Sequence, residues 1–390
     1  MHNARPSVPD LEIRIMQIDF HHAVTYVIAR LAGFPPVEAD VLAHSAQYVD
    51  DATKSGEVRF DNRMRFQRLS SAHRLLDYNN LSTLANCQAW VPFHFLPGNA
   101  GEPAPAAPPI YEEEVFIARC VCRPDSVVAQ DMMRAVIERQ DRPYALYRLG
   151  IAAHVYVDTW AHQGFVGFNH AVNNARRLVA QNDAHHEVGF VAKAKRAFGD
   201  AWNHAEGIVL GDVFPLGHGA VLSYPDRPYL RWSYTNGLGE DIVRDNPRDF
   251  DHAARRLYQQ LRRYRDFAHD GDAVFTRTYD EPDALRTVAE MLAAIDDEDG
   301  GVRHATWLAA IAEGRFGFRD TVGYIDKGAG SWKAIALGID DDIDGDTMQY
   351  ALPYPAEFAN SHWKLFHDAL QAHRFFVLHE LLPRYGLLAV

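Results

Sequence analysis

The stretch that decides the fold is LGIAAHVYVDTWAHQGF, running from Leu149 to Phe165. It reads as a helix buried on every side, because its residues are apolar with no consistent wet face. Three residues break that pattern, and they do so in register: His154, Asp158 and His162 recur every four positions. Residues at i, i+4 and i+8 share one face of a helix, so the spacing predicts a row of imidazole, carboxylate and imidazole. That trio is a ligand set for zinc, iron or manganese. A buried carboxylate without a partner is costly, so the row needs a cation or other compensating groups. Ordinary hydrogen-bonded polar residues are the plainer alternative. Three ligand types in phase on an apolar helix favour the cation.

Working outward, the pattern stays mostly helical. FHHAVTYVIARLAG (20–33) places Val24, Val27, Ile28 and Leu31 on one face and stops at Gly33 and a proline pair, which predicts a helix with its end signal. Residues 36–51 predict a second helix, and others are predicted over 125–139, 143–163, 189–209, 250–268, 282–295 and 302–313, with a long one over 355–384. LANCQAWVPFHFL (84–96) reads as irregular or as a short strand. PGNAGEPAPAAPPI (97–110) is an exposed loop, and 210–235, rich in glycine, proline and aromatics, is a structured one. There is no internal repeat and no sharp shift in composition. The expectation is therefore an all-α protein: a single large helical domain over 19–390, with loop insertions near 97–110 and 210–235, behind a disordered or extended leader at 1–18.

Composition narrows the function. The chain has 390 residues, 47% of them hydrophobic, ample for a sizeable core. Its formal net charge of −13 repels polyanions, which argues against a broad nucleic-acid-binding surface. A phosphate ester at a metal site stays open, since a bound cation reverses the local field. Cys87, Cys120 and Cys122 form no CxxC pair, so neither a disulfide framework nor a thiolate zinc site is indicated. No apolar run approaches the roughly 18 residues of a membrane span. The first 15 residues lack the apolar core of a secretory signal. The expected location is cytoplasmic.

Further ligands are sought among the other histidines and carboxylates. His21 is in phase with Val24 and Ile28 and faces the core side of its helix, whereas His22 points more sideways. Asp19 stands at the expected N-cap of that helix, which is its structural alternative to ligation. Asp50 and Asp51 end the second helix, where acidic groups oppose the macrodipole and a nearby cation would explain them. His44 lies upstream on the same helix and serves equally well as a buried structural residue. His94 sits between two phenylalanines, either buried and neutral or a ligand. His218, flanked by glycines, has room for close approach of a substrate or metal, and Asp226 follows as an ordinary turn residue.

Two features are weaker. Asp340-x-Asp342-x-Asp344-Gly345 opens like a calcium loop, but its twelfth position is Ala351 where a bidentate Glu is required. His362, His367, His373 and His379 are spaced five or six apart and form no single stripe, so they are read as structural or exposed.

The order of these residues resembles the zinc-dependent phospholipase C and S1/P1 nuclease superfamily. The segment YRLGIAAHVYVDTWAHQGF (147–165) is similar to that superfamily's long helix, in which Leu-Gly precedes His-x-x-x-Asp and a further histidine closes the motif. VPFHFLPG around His94 resembles the ligand segment of its nuclease branch. The resemblance places His21 as the first histidine and Asp50 or Asp51 as the bridging aspartate, and covers roughly residues 19–165. It implies an all-helical fold and a cleft with up to three metal ions.

Departures are visible. Three residues separate Asp158 from His162 where the superfamily usually has five, and its next His-x-x-x-Asp/Glu motif has no clean counterpart. The secreted members' N-terminal amine ligand needs a cleaved signal, so two ions are implied as readily as three. The opening DFHHAVTYVIARLAGF (19–34) also looks like that of a set of uncharacterised bacterial proteins.

The functional expectation is a metal-dependent hydrolase with a di- or trinuclear zinc-type site acting on a small-molecule substrate with a phosphoester, acyl or amide bond. His21, Asp50, His94, His154, Asp158, His162, His218 and Asp19 are its candidate ligands. Asp50 and Asp51 are its candidate catalytic carboxylates, with Asp51 the general base if it is not a ligand. An iron or manganese redox or lyase enzyme, and an interaction protein with a structural metal, are the alternatives.

Overall fold

The computed structural model describes residues 18–72, 83–107, 109–181, 221, 223–339 and 351–387. A π-turn, Asp19–Val24, runs into α1 (Thr25–Leu31). Helix α2 spans Pro36–Asp51, with proline in its first turn, where the missing N–H has no partner to lose. Then come α3 (Thr83–Phe93), α4 (Glu113–Cys120), α5 (Val127–Glu138) and α6 (Ala145–Ala161). The later helices are α7 (Asn246–Asp270), α8 (Ala284–Ala294), α9 (Gly300–Glu313) and α10 (Trp332–Leu337). Helix α11 (His362–Phe375) passes through a second π-turn, Phe376–Leu381, into α12 (Leu382–Arg384).

Helix α6 is the axle. Every residue from Tyr147 to Ala161 is buried, as its all-round apolarity requires. Helices α2, α5, α7 and α11 pack around it. The α2–α6 crossing is unusually tight because position 150 is glycine. A Cβ there would lie 2.4 Å from the carbonyl oxygen of Leu42 and 2.6 Å from the Cβ of Ser45. That approach brings the end of α2, with Asp50, beside His154, one turn beyond Gly150 on α6.

The all-α expectation is overturned by five strands in two small antiparallel sheets among the described residues, so the fold is mixed. Strands β1 (Gly56–Arg59) and β2 (Arg65–Arg68) form a hairpin in which Gly56 faces Arg68. Strands β3 (Ala175–Ala180), β4 (Arg231–Asn236) and β5 (Asp241–Asp245) form a three-stranded sheet with β4 in the middle. The strands are short and rich in charge, as in GEVR, RFQR and DIVRD. They carry too few alternating apolar residues to register as strands in sequence. The middle strand holds the sheet to the body: Trp232 and Tyr234 pack with Phe95 and Phe165 in a separate apolar cluster.

Three smaller expectations also change. Residues 84–96 are mostly helical, with Pro92 inside the last turn of α3, because packing on α6 and α11 outweighs local preference. The described end of the 210–235 segment is strand β4. The C-terminal helix begins only at His362, where the Ser361 hydroxyl accepts from the Lys364 N–H as an N-cap. The helix expected over 189–209 and the acidic turn at Asp340–Gly345 lie outside the described residues. Among the described residues, no helix is long and apolar enough to cross a membrane.

Candidate metal centre

Five elements converge on the Asp158 carboxylate. His154 and Asp158 come from α6, and His162 caps its C-terminal end. His94 follows the last residue of α3, with its N–H bonded to the Trp90 carbonyl at 2.9 Å. Asp50 comes from the end of α2, His21 from the first π-turn, and Asp226 from the loop before β4. All except Asp50 are buried outright, and the Asp50 side chain is only 7% exposed.

One half of the cluster is built around Asp158 Oδ2. His154 Nε2 lies 3.1 Å from that oxygen, His94 Nδ1 lies 3.2 Å from it, and the two nitrogens are 3.2 Å apart. Asp50 Oδ1 lies beside the two histidines, 3.5 Å from His154 Nε2 and 4.0 Å from His94 Nδ1. Ligands held about 2.0–2.1 Å from a tetrahedral zinc stand roughly 3.3 Å from one another. The observed edges bracket that figure. Asp50 Oδ1 is also buried with no hydrogen-bond partner, as an acceptor awaiting a cation would be.

The other half faces Asp158 Oδ1. His21 Nε2 lies 3.1 Å from it, and the His21 ring stacks on His154 with centroids 3.9 Å apart. Asp226 Oδ1 is 3.4 Å from His162 Nε2. A cavity of about 10 Å³ opens here, lined by Phe20, His21, Val157, Asp158, Ala161, Asp226 and Phe250. That is on the scale of about one water or ion. His154 stands where the halves meet, close enough to share an ion with His21 and Asp158 on one side and with Asp50 and His94 on the other.

Backbone carbonyls fix how two of the rings present themselves. The His94 Nε2 is 3.1 Å from the Ser71 carbonyl, and His162 Nδ1 is 2.9 Å from the His94 carbonyl. A carbonyl only accepts, so those nitrogens carry the protons. In the neutral rings the opposite nitrogens, His94 Nδ1 and His162 Nε2, then present lone pairs to the cluster, the arrangement that orients metal-ligating histidines. The C-terminal end of α6 is held as well. The Arg244 guanidinium, from β5, donates to the carbonyl oxygens of Trp160 at 2.8 Å and Ala161 at 3.2 Å, satisfying orphan carbonyls at the helix terminus.

The electrostatics pull the carboxylates apart. Burial pushes Asp50 well above the usual carboxylate range, and Asp158, Asp51 and Asp226 push it further. Burial would raise Asp158 too, but the imidazoles of His154, His162 and His21 outweigh it and hold its carboxyl well below that range. Burial lowers His154 to about 3, helped by the neighbouring His21. It acts against His162 as well, yet Asp158 and Asp226 raise that ring to about 8. Acidic groups pushed in opposite directions within one buried cluster are what a cation would reconcile.

Most of the expected ligands are thus brought together: His21, Asp50, His94, His154, Asp158 and His162. Asp19 is not among them. Its carboxylate pairs with buried Arg303, at 2.8 Å from Nε and 3.4 Å from the second nitrogen, because the π-turn directs it toward α9. Asp51 turns away from the cluster, and its Oδ2 accepts from Tyr324 at 2.5 Å and Gln47 at 3.1 Å. His218 lies outside the described residues. His22, expected to point sideways, is fully buried, because i→i+5 bonding in the π-turn changes the phase of the helix. Asp226 is the residue that sequence reading undervalued. Its proline-flanked loop gives no periodicity from which to infer that it faces a cluster.

Fold and site define a helix-centred mixed protein with a buried histidine–aspartate cluster able to accept metal ions. The chain belongs to DUF6765, a family of unknown function whose model matches residues 16–381. No curated protein and no solved structure matches it.

Proposed function

We propose that this protein is a metal-dependent hydrolase with a two-ion site centred on Asp158. The observation that carries the reading is the buried cluster in which His94 Nδ1, His154 Nε2 and Asp158 Oδ2 lie 3.1–3.2 Å apart, with Asp50 Oδ1 3.5 Å from His154 Nε2 and 4.0 Å from His94 Nδ1. Asp158 has its two oxygens in the two halves of the cluster, Oδ1 toward His21 and Oδ2 toward His94 and His154, so it would be the carboxylate able to serve both ions. His21 and Asp158, with Asp226 across the cavity, would hold the second ion. Divalent cations bound there would acidify a water and stabilise negative charge developing on a phosphoryl or acyl oxygen.

The chain's own groups do the rest. Phe20 and Phe250, packed edge to face at 5.2 Å, wall the cavity and keep bulk water out. His162 Nε2 and Asp226 Oδ1 can hold a proton between them at its edge, since Nδ1 is committed to the His94 carbonyl. Asp51, turned to Tyr324, supports the end of α2 from behind Asp50. Zinc fits the donor set, and iron or manganese would be accepted by the same atoms.

The test is metal analysis of full-length protein purified without chelator, followed by assays against a chromogenic phosphodiester and a chromogenic carboxylic ester before and after EDTA. Two equivalents of metal with EDTA-sensitive turnover of either substrate are expected. Metal-free protein whose melting temperature ignores EDTA would sink the proposal. Bound metal with no turnover of either would favour a structural metal, and oxygen-dependent turnover with an iron signature would favour a redox enzyme.

A further inference from the structure

We infer that Arg303 and His304 are positioning residues for His21: by gripping Asp19 and His22 on either side of it, they set His21 Nε2 against Asp158 and so build the second cation site. This rests on the two-ion reading above.

The two neighbours on α9 hold the two sides of the same π-turn. Arg303 is fully buried and donates from Nε to Asp19 Oδ2 at 2.8 Å and from a terminal nitrogen to Asp19 Oδ1 at 3.4 Å. Its remaining terminal nitrogen is tied to the carbonyl oxygens of Asp297 at 2.5 Å and Glu298 at 3.2 Å, so the guanidinium cannot swing. His304 Nε2 lies 2.8 Å from His22 Nδ1, also buried. Between Asp19 and His22 the chain offers only Phe20, wedged against Phe250, and His21. With three of its four residues held from outside, the fourth has little freedom in where its ring points.

The arrangement is more than fold stability needs. A buried ion pair rarely stabilises a protein more than well-packed apolar residues of the same volume would, and its best-attested use is to fix geometry. A π-turn is a rare element that recurs at functional sites. Here its altered phase buries His21 and His22 together, one toward Asp158 and one toward His304. The first cation site takes Asp50 from α2 and His94 from the end of α3 and shares His154 and Asp158 on α6 with the second, whereas His21 comes from the turn that Arg303 and His304 grip. The ligand that α9 positions thus belongs to the second site, and damage to α9 should fall chiefly on that ion.

The experiment is cobalt titration of the full-length protein, read by bound-metal analysis and by the visible absorption of each ion, with thermal melts of the metal-free forms as a control. Asp19→Asn combined with Arg303→Met removes both charges at once and leaves no unpaired ion in the core. His304→Phe removes the other grip, and His304→Gln restores a hydrogen-bonding group at the position of Nε2. The wild type is expected to bind two ions. The double variant and His304→Phe should bind the first unchanged and the second about 10–100-fold more weakly, the scale of losing an outer-sphere partner, with loss of that ion's absorption. His304→Gln should recover it.

Two ions bound at wild-type affinity in His304→Phe and in a folded double variant would overturn the clamp. So would equal weakening of both ions, or a His304→Gln protein no better than His304→Phe. Should the double variant fail to fold, the His304 pair decides alone. A wild type that takes up no metal would overturn the two-ion reading itself, and this inference with it.

Discussion

Two regions of this molecule are rich in buried histidine, and they use it differently. Around Asp158, four imidazoles meet carboxylates: His21, His94 and His154 lie 3.1–3.2 Å from its oxygens, and His162 lies 3.6 Å away. Where α2 and α11 pack beside α10 and α3, His44, His367 and His373 meet rings and backbone instead. His44 stacks on Trp332 at 3.8 Å, His367 packs edge-on against Trp363 of the same helix at 4.8 Å, and His373 bonds the Pro92 carbonyl at 3.2 Å. Burial lowers all three of these rings to about 3. Burial alone makes a histidine neutral and inert. A shared carboxylate makes a set of them a site.

The largest test of that contrast is Asp158→Asn, which takes the shared anion from both halves of the cluster. Both ions should be lost together, a greater effect than the roughly 10–100-fold set by outer-sphere changes. Retention of either ion in metal analysis would break the comparison.

Acid unfolding tests the other region. His44, His367 and His373 fall from an ordinary 6.5 to about 3 in the folded state, so between those values the unfolded chain binds more protons. Stability should be complete above about pH 6.5 and fall as pH drops toward 3, by up to ~1.4 kcal/mol per pH unit for each ring. For His162, raised to about 8, the sign is opposite: in metal-free protein its contribution is full below 6.5 and lost as pH rises through 8. Denaturant melts of EDTA-treated protein across pH check both. A flat acid limb would break the assignment.

Gly150→Ala should destabilise by about 1–3 kcal/mol through overpacking against α2 and should lower metal affinity by moving Asp50 from His154. A thermal melt with metal titration reads both. The smallest effect is expected for His373→Phe, which leaves one carbonyl unpaired at about 1 kcal/mol and should leave metal content unchanged. A change in metal content there would blur the boundary between the regions.

Legibility in the sequence followed the same divide. The α6 row of ligands could be read because a straight helix repeats with a fixed period and its apolar surroundings isolate the exceptions. The Asp50–Asp51 pair could be singled out because acidic groups oppose a helix end, although which of the two faces the histidine cluster could not be read. The spacing of His362, His367, His373 and His379 predicts no single stripe, and in the fold His367 and His373 meet rings and backbone. Asp19 was misread because a π-turn shifts the phase on which its direction depends, and the partner that claims it is 284 residues away. The strands were missed because they are short and charged, and a sheet edge needs little apolar patterning.

By itself, then, the sequence determined the helical core, the buried row on α6 and the chemistry of its donors, since periodicity and side-chain type are local properties. Only the tertiary structure decided that Asp158 is shared, that Asp50 rather than Asp51 completes its neighbours, that Asp226 closes the cavity, and that α9 holds the turn bearing His21. Those facts depend on distances between segments far apart in the chain, which packing sets and no local pattern encodes.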